Sequence, residues 1–185
     1  MYGEEFIHQQ YLSDLSICDK IIDYFESSPQ YDGVTGDRVD KKYKSCKEVI
    51  LNDMNIGSEY SKLLQEVVNK YVEMFPRCNA SQPWTIISPV QIQKYEPGEA
   101  YFGWHTERSV TFEPMVTRHL VFMTYLNDVT DGGGTEFYHQ KLITKAKKGS
   151  TLIWPVDWTF THRGEVSPTQ TKYIITGWFN YYQPQ

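Results

Sequence analysis

Short runs rich in β-branched and aromatic residues follow one another from Trp84 to the end of the chain. They are WTIISPVQIQKY, HLVFMTYL, TEFYH, STLIWP and KYIITGWFNYY, and stretches that contain glycine, proline or aspartate separate them. This pattern is typical of an all-β sandwich or barrel, because such side chains pack well on pleated sheets. The alternation of strands and helices that a doubly wound dinucleotide-binding fold needs is missing. The DGGG sequence at 131–134 lacks the Lys-Ser/Thr pair of a phosphate-binding loop and predicts a turn.

Two amphipathic segments precede these runs. In residues 14–28 the apolar side chains recur at helical spacing, with Ser13 as the predicted N-cap and a proline just past the end. The second segment begins near Ser58 and stops at Pro76. Residues 30–50 carry glycines and charges with little periodicity, and we predict a surface loop there and a candidate lid.

The length and the order of these elements predict one domain over residues 1–185. A chain of 185 residues forms one ordinary core, whereas two independent cores would be cramped. We therefore expect a mostly β protein, a double-stranded β-helix (jelly roll) over 84–185 that is buttressed by helices within 1–83.

Charge and cysteine content exclude several classes of protein. The formal net charge is −5, which argues against a generic binder of nucleic acid or anionic membranes. No run approaches the roughly 20 apolar residues of a membrane-spanning helix, and the acidic N-terminus lacks the pattern of a secretory signal. The three cysteines fit neither a disulfide framework nor a zinc knuckle. We predict a cytoplasmic protein with reduced thiols and no nucleic-acid or membrane partner.

A single residue separates His105 from Glu107, and His162 lies between two predicted strands. Residues i and i+2 of an extended strand project to the same face, so an imidazole and a carboxylate at 105 and 107 can converge on one ion. Two histidines and one carboxylate on one face of a metal, with the opposite positions open, are the ligands of non-heme Fe(II) oxygenases. A His-x-Glu pair is also common by chance.

Lys172 lies ten residues after His162, inside the strand KYIITGWFNYY. A hydrated lysine cation is costly in a buried strand unless an anion pairs with it. If the strand runs away from the metal, Lys172 can hold the distal carboxylate of a dicarboxylate co-substrate. The alternative is that Lys172 marks the exposed start of the strand.

Further motifs surround these residues and establish a family resemblance. The motifs are Tyr95-x-x-Gly98-x-x-Tyr101, Tyr125-Leu126-Asn127, Gly132-Gly133-Gly134-Thr135-Glu136-Phe137, Lys148-Gly149 before Trp154-Pro155, and His162-Arg163-Gly164 before Lys172-Tyr173, Thr176 and Trp178. With these motifs in this order, residues 90–182 resemble the Fe(II)/2-oxoglutarate-dependent oxygenases of the prolyl 4-hydroxylase type. The N-terminal helices resemble that family more loosely.

The resemblance implies a metal site and a co-substrate pocket. His105, Glu107 and His162 are expected to be the iron ligands and the catalytic centre, with 2-oxoglutarate and O2 as co-substrates and ascorbate as a stimulating reductant. Lys172 is expected to pair with the 5-carboxylate of 2-oxoglutarate. The remaining pocket residues are Tyr95, Tyr125 and Thr176, expected as hydrogen-bonding groups, and Trp178, expected as a wall. Ordinary packing is the alternative for the two tyrosines and the tryptophan.

The carboxylate ligand departs from the family pattern, because the usual residue is aspartate and Glu107 stands in its place. Glutamate adds one methylene, so its oxygen must fold back to keep a metal–oxygen bond of roughly 2.0–2.2 Å, with zinc sites as the guide. Chlorinating relatives have a small residue here, so Glu107 disfavours a halogenase. A side chain that points away from the metal would leave an inactive scaffold.

The function implied by the resemblance is hydroxylation of a C–H bond, foremost in a peptidyl proline, with release of succinate and CO2. Trp104, Trp154 and Arg163 are expected to line the substrate mouth, with residues 30–50 as its cover. A free amino acid or another small metabolite is the alternative substrate. The alternative from a different class is a non-catalytic jelly-roll module that binds a sugar, a peptide or a structural metal.

Overall fold

The structure, a computed structural model, describes residues 6–36, 38–109 and 111–182. Within these ranges the chain forms two α-helices and eleven strands, joined by turns and three short 3-10 segments. The helices are α1 (Ser16–Ser27) and α2 (Met54–Met74). The strands are β1 (His8–Tyr11), β2 (Tyr31–Asp32), β3 (Lys47–Ile50), β4 (Trp84–Ile86), β5 (Gln91–Tyr95), β6 (Arg118–Tyr125), β7 (Thr135–Phe137), β8 (Leu142–Ile143), β9 (Ser150–Pro155), β10 (His162–Gly164) and β11 (Lys172–Tyr181).

Two antiparallel sheets form the β structure. The larger sheet has eight strands in the order β1-β9-β6-β11-β5-β3-β2, with β4 also paired to β11. The smaller sheet has the order β10-β7-β8. Two facing antiparallel sheets with non-sequential neighbours are the arrangement of a jelly roll. The predicted fold class, mostly β with helical buttresses, is confirmed.

Strand β6 shows how the larger sheet is buried on both faces. Leu120 and Phe122 join the apolar cluster that the helices cover, whereas Val121, Met123 and Tyr125 belong to the cluster between the two sheets. Side chains alternate between the faces of a strand, so a strand covered on both sides is apolar at most positions. The run HLVFMTYL is therefore mostly apolar because it lies in the centre of the fold.

The two helices pack on the outer face of the larger sheet. Their amphipathic spacing aligns the apolar side chains into stripes that meet the sheet. The buried members are Ile17, Cys18, Ile21 and Phe25 from α1, and Tyr60, Leu64, Val67, Val68 and Tyr71 from α2. Neither helix is long and apolar enough to cross a membrane, and the same holds for every other helix of the described residues.

The predicted beginnings of both helices are wrong. Helix α1 begins at Ser16, where the backbone N–H donates to the Asp14 carboxylate at 2.8 Å, and Ser13 lies outside the helix. Helix α2 begins one turn before the predicted Ser58, because the Asp53 carboxylate accepts hydrogen bonds of 2.9 Å from two backbone N–H groups of the first turn. That turn contains a glycine and no regular apolar spacing, so periodicity does not reveal it.

Residues 1–83 also contribute three strands, which the sequence analysis did not predict. β1 pairs with β9, and β3 pairs with β5 and carries β2 along its other edge. The surface-loop prediction for 30–50 is therefore wrong for residues 31–32 and 47–50. These strands have two to four residues, too few to show alternation, and their backbone pairing with the core strands holds them in place.

The beginnings of the two helices provide a test of the fold. Asp53→Ala removes the acceptor for two N–H groups, so we expect the free energy of unfolding to fall by about 1 kcal/mol. Ser13→Ala is the matched control, and it should change the free energy of unfolding by less than about 0.5 kcal/mol because this exposed serine caps no helix. Urea unfolding followed by circular dichroism measures both values. An equal loss in the two variants would contradict the assigned helix beginnings.

Candidate active site

A cavity of about 600 Å³ opens between the two sheets. Every residue that the sequence analysis singled out for the metal, the co-substrate or the substrate lines this cavity. The larger sheet contributes the face that carries Tyr95, Tyr125, Lys172, Thr176 and Trp178, which are in register on three adjacent strands. The smaller sheet and the segment beside it contribute the histidines and the carboxylate. A concave site with few converging polar groups is the usual form of a ligand pocket.

A backbone bridge holds the two histidines side by side. His105 and His162 exchange two backbone hydrogen bonds of 3.0 Å each, so residue 105 adds to the edge of β10. Their ring centroids are 4.3 Å apart. The Glu107 backbone N–H donates to the carbonyl of Val156 at 3.2 Å, which directs the segment 105–107 along the cavity wall. Because side chains alternate between the two faces of an extended segment, Glu107 points to the same side as His105.

Hydrogen bonds also fix which nitrogen of each imidazole is available. Nδ1 of His105 lies 2.9 Å from the Gly103 carbonyl, and Nδ1 of His162 lies 2.9 Å from the Phe160 carbonyl. A carbonyl oxygen only accepts, so both Nδ1 atoms carry the proton and both Nε2 atoms are left as ligands. Such partners for the second nitrogen are characteristic of metal-ligating histidines.

The three candidate ligand atoms fit one metal ion. Oε1 of Glu107 lies 3.6 Å from Nε2 of His105 and 3.3 Å from Nε2 of His162. Ligands at about 2.1 Å from a metal and at right angles to one another are about 3.0 Å apart. The two distances from Oε1 exceed this value by about 0.3 and 0.6 Å, and all three ligand atoms lie within 4.8 Å of one another. Two imidazoles and one carboxylate form the donor set of a facial Fe(II) site.

The electrostatics of this triad favour binding of a cation. Burial acts to raise the pKa of Glu107, but hydrogen bonds and charge from His105 and His162 in their protonated forms outweigh it and hold this pKa well below the usual 4.5. Burial, together with repulsion from His162, lowers the pKa of His105 below 6.5. At neutral pH the carboxylate is thus ionised and His105 is not doubly protonated, as metal ligation requires.

Aromatic rings hold the imidazoles in orientation. The Tyr101 ring stacks on His105 with a centroid separation of 3.6 Å and an interplanar angle of 7°. Trp154 meets His162 edge-on at 5.1 Å, and Phe137 lies 5.6 Å from the same ring. The sequence analysis gave Tyr101 no role, although its place four residues before His105 indicates that it lies near the site.

Lys172 is a buried cation without a carboxylate partner. Its exposed fraction is 4%, and among the described residues no carboxylate lies within ion-pair distance of it. Nζ donates to the carbonyl of Gly133 at 3.0 Å and lies 4.7 Å from the centroid of the Tyr95 ring. The predicted DGGG turn supplies that carbonyl, with Gly133 in a left-handed conformation at φ 77°.

Burial lowers the pKa of Lys172 to about 8. The contrast is Lys44, also buried at the cavity, which forms an ion pair with Glu48. An ammonium group that keeps its charge at neutral pH and has donors to spare creates a site for an anion. The alternative of an exposed strand start for Lys172 is wrong, because the side chain points between the sheets.

The side-chain hydroxyl groups that are expected to bind the co-substrate already have hydrogen-bond partners within the protein. Tyr95 donates its hydroxyl proton to Gln93 at 2.7 Å, and Thr176 donates its proton to the Phe122 carbonyl at 2.9 Å. The Tyr125 hydroxyl lies 2.8 Å from the hydroxyls of two threonines. Tyr95 and Thr176 can therefore accept from a ligand as they stand, and must exchange partners before they donate to one.

Two further side chains donate hydrogen bonds to Glu107. The indole N–H of Trp178 donates to Oε2 of Glu107 at 2.9 Å, so Trp178 does more than form a pocket wall. Arg118, which the sequence analysis missed, donates to the backbone carbonyl of Glu107 at 2.7 Å. Its position at the start of an otherwise apolar strand was the only signal in the sequence.

Aromatic and cationic side chains surround the mouth of the cavity. The Arg163 guanidinium lies 4.3 Å from the centroid of the Trp104 ring, and Tyr138 meets Trp104 edge-on at 5.1 Å. Tyr138 is 47% exposed, and the nearby Trp158, which meets the ring of His139 edge-on at 5.5 Å, is 68% exposed, so this aromatic surface is open to solvent. Tyr43, in the segment predicted as a lid, donates to the Trp104 carbonyl at 2.7 Å. A side chain at Gly103 would overlap the Tyr43 ring.

Part of the chain that includes this site matches a protein-family model. Residues 90–180 match the family model described as the 2OG-Fe(II) oxygenase superfamily. The chain belongs to this superfamily. It is accordingly an oxygenase that uses Fe(II) and 2-oxoglutarate, and His105, Glu107 and His162 are a group able to hold the metal. A comparison with curated proteins found no match.

Several solved structures share the fold along nearly the whole chain. The viral collagen prolyl hydroxylase of Paramecium bursaria Chlorella virus-1, in its 2OG complex, superposes with a TM-score of 0.73 at 16% identity, covering 97% of both chains. A Pseudomonas putida prolyl-4-hydroxylase gives 0.71 at 14% identity, covering 97% of this chain and 95% of that one. A Trichoplax adhaerens prolyl hydroxylase in complex with a hypoxia inducible factor peptide fragment gives 0.72 at 18% identity, covering 97% and 86%. At these identities the likeness establishes the fold.

The lowered pKa values of Glu107 and His105 predict how metal affinity varies with pH. Protons compete with the metal only below the pKa of each ligand, and both values lie below their usual 4.5 and 6.5. We expect Co(II) affinity to stay constant from about pH 8 to about pH 7 and to fall in more acidic solution. Anaerobic titration by visible absorbance measures it. A tenfold loss between pH 8 and pH 7 would contradict the ligand assignment.

Proposed function

We propose that this protein hydroxylates peptidyl proline, with 2-oxoglutarate and O2 as co-substrates and succinate and CO2 as products. In this proposal His105, Glu107 and His162 hold the iron. The observation that carries it is the arrangement within one cavity of the group His105, Glu107 and His162 and of a buried lysine that has no carboxylate within ion-pair distance among the described residues. Bound Fe(II) supplies the oxidation of 2-oxoglutarate by O2 and the insertion of oxygen into the C–H bond.

The contribution of the chain is to bind and orient the reactants. Nε2 of each histidine and Oε1 of Glu107 would hold the metal, and a site with these three protein ligands would keep positions open for 2-oxoglutarate and O2. Lys172 binds the distal carboxylate of 2-oxoglutarate. Tyr125, opposite Ile174 on the neighbouring strand, offers a hydroxyl, while Tyr95, opposite Lys172, covers the ammonium with its ring. Burial of this end of the cavity excludes water and strengthens the ion pair.

The open aromatic mouth supports a peptide substrate. A proline-rich segment adopts an extended helix with little loss of entropy and docks on grooves lined by aromatic rings. Trp104, Tyr138 and Trp158 supply such a surface, and Arg163 supplies hydrogen-bond donors for backbone carbonyls. The names of the structural neighbours, which include prolyl hydroxylases and one complex with a peptide fragment, support the same substrate class. Trp154, deeper in the cavity, is proposed to contact the target residue.

A cytoplasmic location accords with the state of the cysteines. Cys18, Cys46 and Cys78 are all unpaired, and burial raises the pKa of Cys18 to about 11 and that of Cys46 to about 12. Unpaired thiols are typical of proteins in reducing compartments. The acidic net charge supports a peptide or a small molecule, and no nucleic acid, as the partner.

A substrate panel tests the proposed function. Purified protein with Fe(II), 2-oxoglutarate and ascorbate is incubated with proline-rich peptides, matched peptides with alanine in place of proline, and free amino acids. We expect succinate release and a mass increase of one oxygen only with the proline peptides. His105→Ala and His162→Ala should each abolish both signals because the metal is lost. Turnover of free amino acids alone would replace the peptide proposal with that of a small-molecule hydroxylase.

The pKa of Lys172 predicts a pH dependence of 2-oxoglutarate binding. The charged lysine binds the dicarboxylate, so affinity is fully present below about pH 8 and is lost, by up to tenfold per pH unit, as pH rises above that value. Lys172→Met should weaken binding by at least about 30-fold at pH 7 and flatten the profile. Lys172→Arg is the control, because it keeps its charge above pH 8. Anaerobic titration of the Fe(II) charge-transfer band gives the affinity; a flat profile in the unaltered protein would exclude this role.

A further inference from the structure

The two carboxylate oxygens of Glu107 lie in different surroundings. Oε1 faces the Nε2 atoms of His105 and His162 at 3.6 and 3.3 Å. Oε2 accepts the indole N–H of Trp178 at 2.9 Å and lies 3.6 Å from Nη1 of Arg118. Only one of the two oxygens is therefore directed to the position that a metal would take.

The donor on Trp178 is itself held in place. The Arg118 guanidinium carbon lies 3.6 Å from the centroid of the Trp178 ring, so the cation and the indole are stacked. The backbone carbonyl of Arg118 accepts a hydrogen bond from Arg108, which pairs with Asp157 at 2.6 Å. Because the Arg118 guanidinium also donates to the Glu107 carbonyl, the carboxylate, the indole and the guanidinium form one connected unit.

This unit acts on the residue that departs from the family pattern. Glutamate has one more rotatable bond than aspartate, so it loses more side-chain entropy when its carboxylate is fixed. It can also approach a metal with both oxygens, which would occupy one of the positions that 2-oxoglutarate and O2 need. An indole donor on Oε2 opposes both effects, since it fixes the carboxylate and satisfies the second oxygen.

We propose that Trp178 and Arg118 are positioning residues that clamp Glu107 so that it binds the metal through Oε1 alone. The inference rests on the proposed function, because it takes the triad as the metal site. It also predicts a dependence that is particular to this chain. An aspartate at this position would be one methylene shorter, and a carboxylate that still reached the metal would no longer reach the indole. The contribution of Trp178 should therefore exist only when residue 107 is glutamate.

A double-mutant cycle tests the clamp through metal affinity, without turnover. Co(II) is titrated anaerobically into the unaltered protein, Trp178→Phe, Glu107→Asp and the double variant. We expect Trp178→Phe to weaken Co(II) binding about 10- to 100-fold when Glu107 is present, and less than about threefold in the Glu107→Asp background. Trp84→Phe is the matched control, because the Trp84 indole N–H has no partner among the described residues and lies outside the cavity. It should leave the affinity unchanged.

The outcomes separate this inference from the proposed function. Equal losses from Trp178→Phe in both backgrounds would mean a general packing role and would overturn the clamp, as would no loss in either. Arg118→Gln, which removes the stacked cation, gives a second reading if Trp178→Phe fails to fold, and should weaken Co(II) binding about threefold or more only when Glu107 is present. If His105→Ala binds Co(II) as well as the unaltered protein, the metal site itself is wrong.

Discussion

The pair of backbone hydrogen bonds between His105 and His162 is the interaction on which the rest of the site depends. It joins two segments that are far apart in sequence, and it fixes their imidazoles before any metal binds. The carbonyls of Gly103 and Phe160 then select the nitrogen that each ring presents. Because the rings are held by backbone and by stacked aromatics, metal binding has little conformational entropy to overcome, which is how proteins gain affinity at preorganised sites.

The same fold places an unfavourable charge between its sheets. Lys172 is nearly as buried as the apolar side chains around it, yet its contacts are a carbonyl and a tyrosine ring. Lys44, which is also buried at the cavity, differs in that it is paired with Glu48. Local conflicts of this kind concentrate at functional sites, where a ligand completes the interactions. In the proposed function, a dicarboxylate bound at Lys172 would offset this cost in stability.

The sequence alone predicts the central strands and the residues that line the cavity. It does not predict the short strands towards the edges of the larger sheet. β6 and β11 are long and strongly apolar, so their composition reveals them, and the motif spacing around His105, His162 and Lys172 identifies the residues that meet. β3 is four residues long and owes its conformation to pairing with β5, which no local pattern records. Arg118 was missed for a similar reason, because its importance lies in a contact with Trp178 across two strands. Such features depend on which residues meet in the folded chain, and the composition along the chain does not reveal these contacts.

Tyr43 connects the entrance of the cavity to its chemistry. Its ring occupies the space that a side chain at Gly103 would need, its carbonyl accepts from the Gly103 N–H at 3.1 Å, and its hydroxyl reaches the Trp104 carbonyl. The segment around Tyr43 thus contacts the residues that immediately precede His105. If His105 binds the metal as proposed, a displacement of Tyr43 would disturb the loop that leads to this ligand.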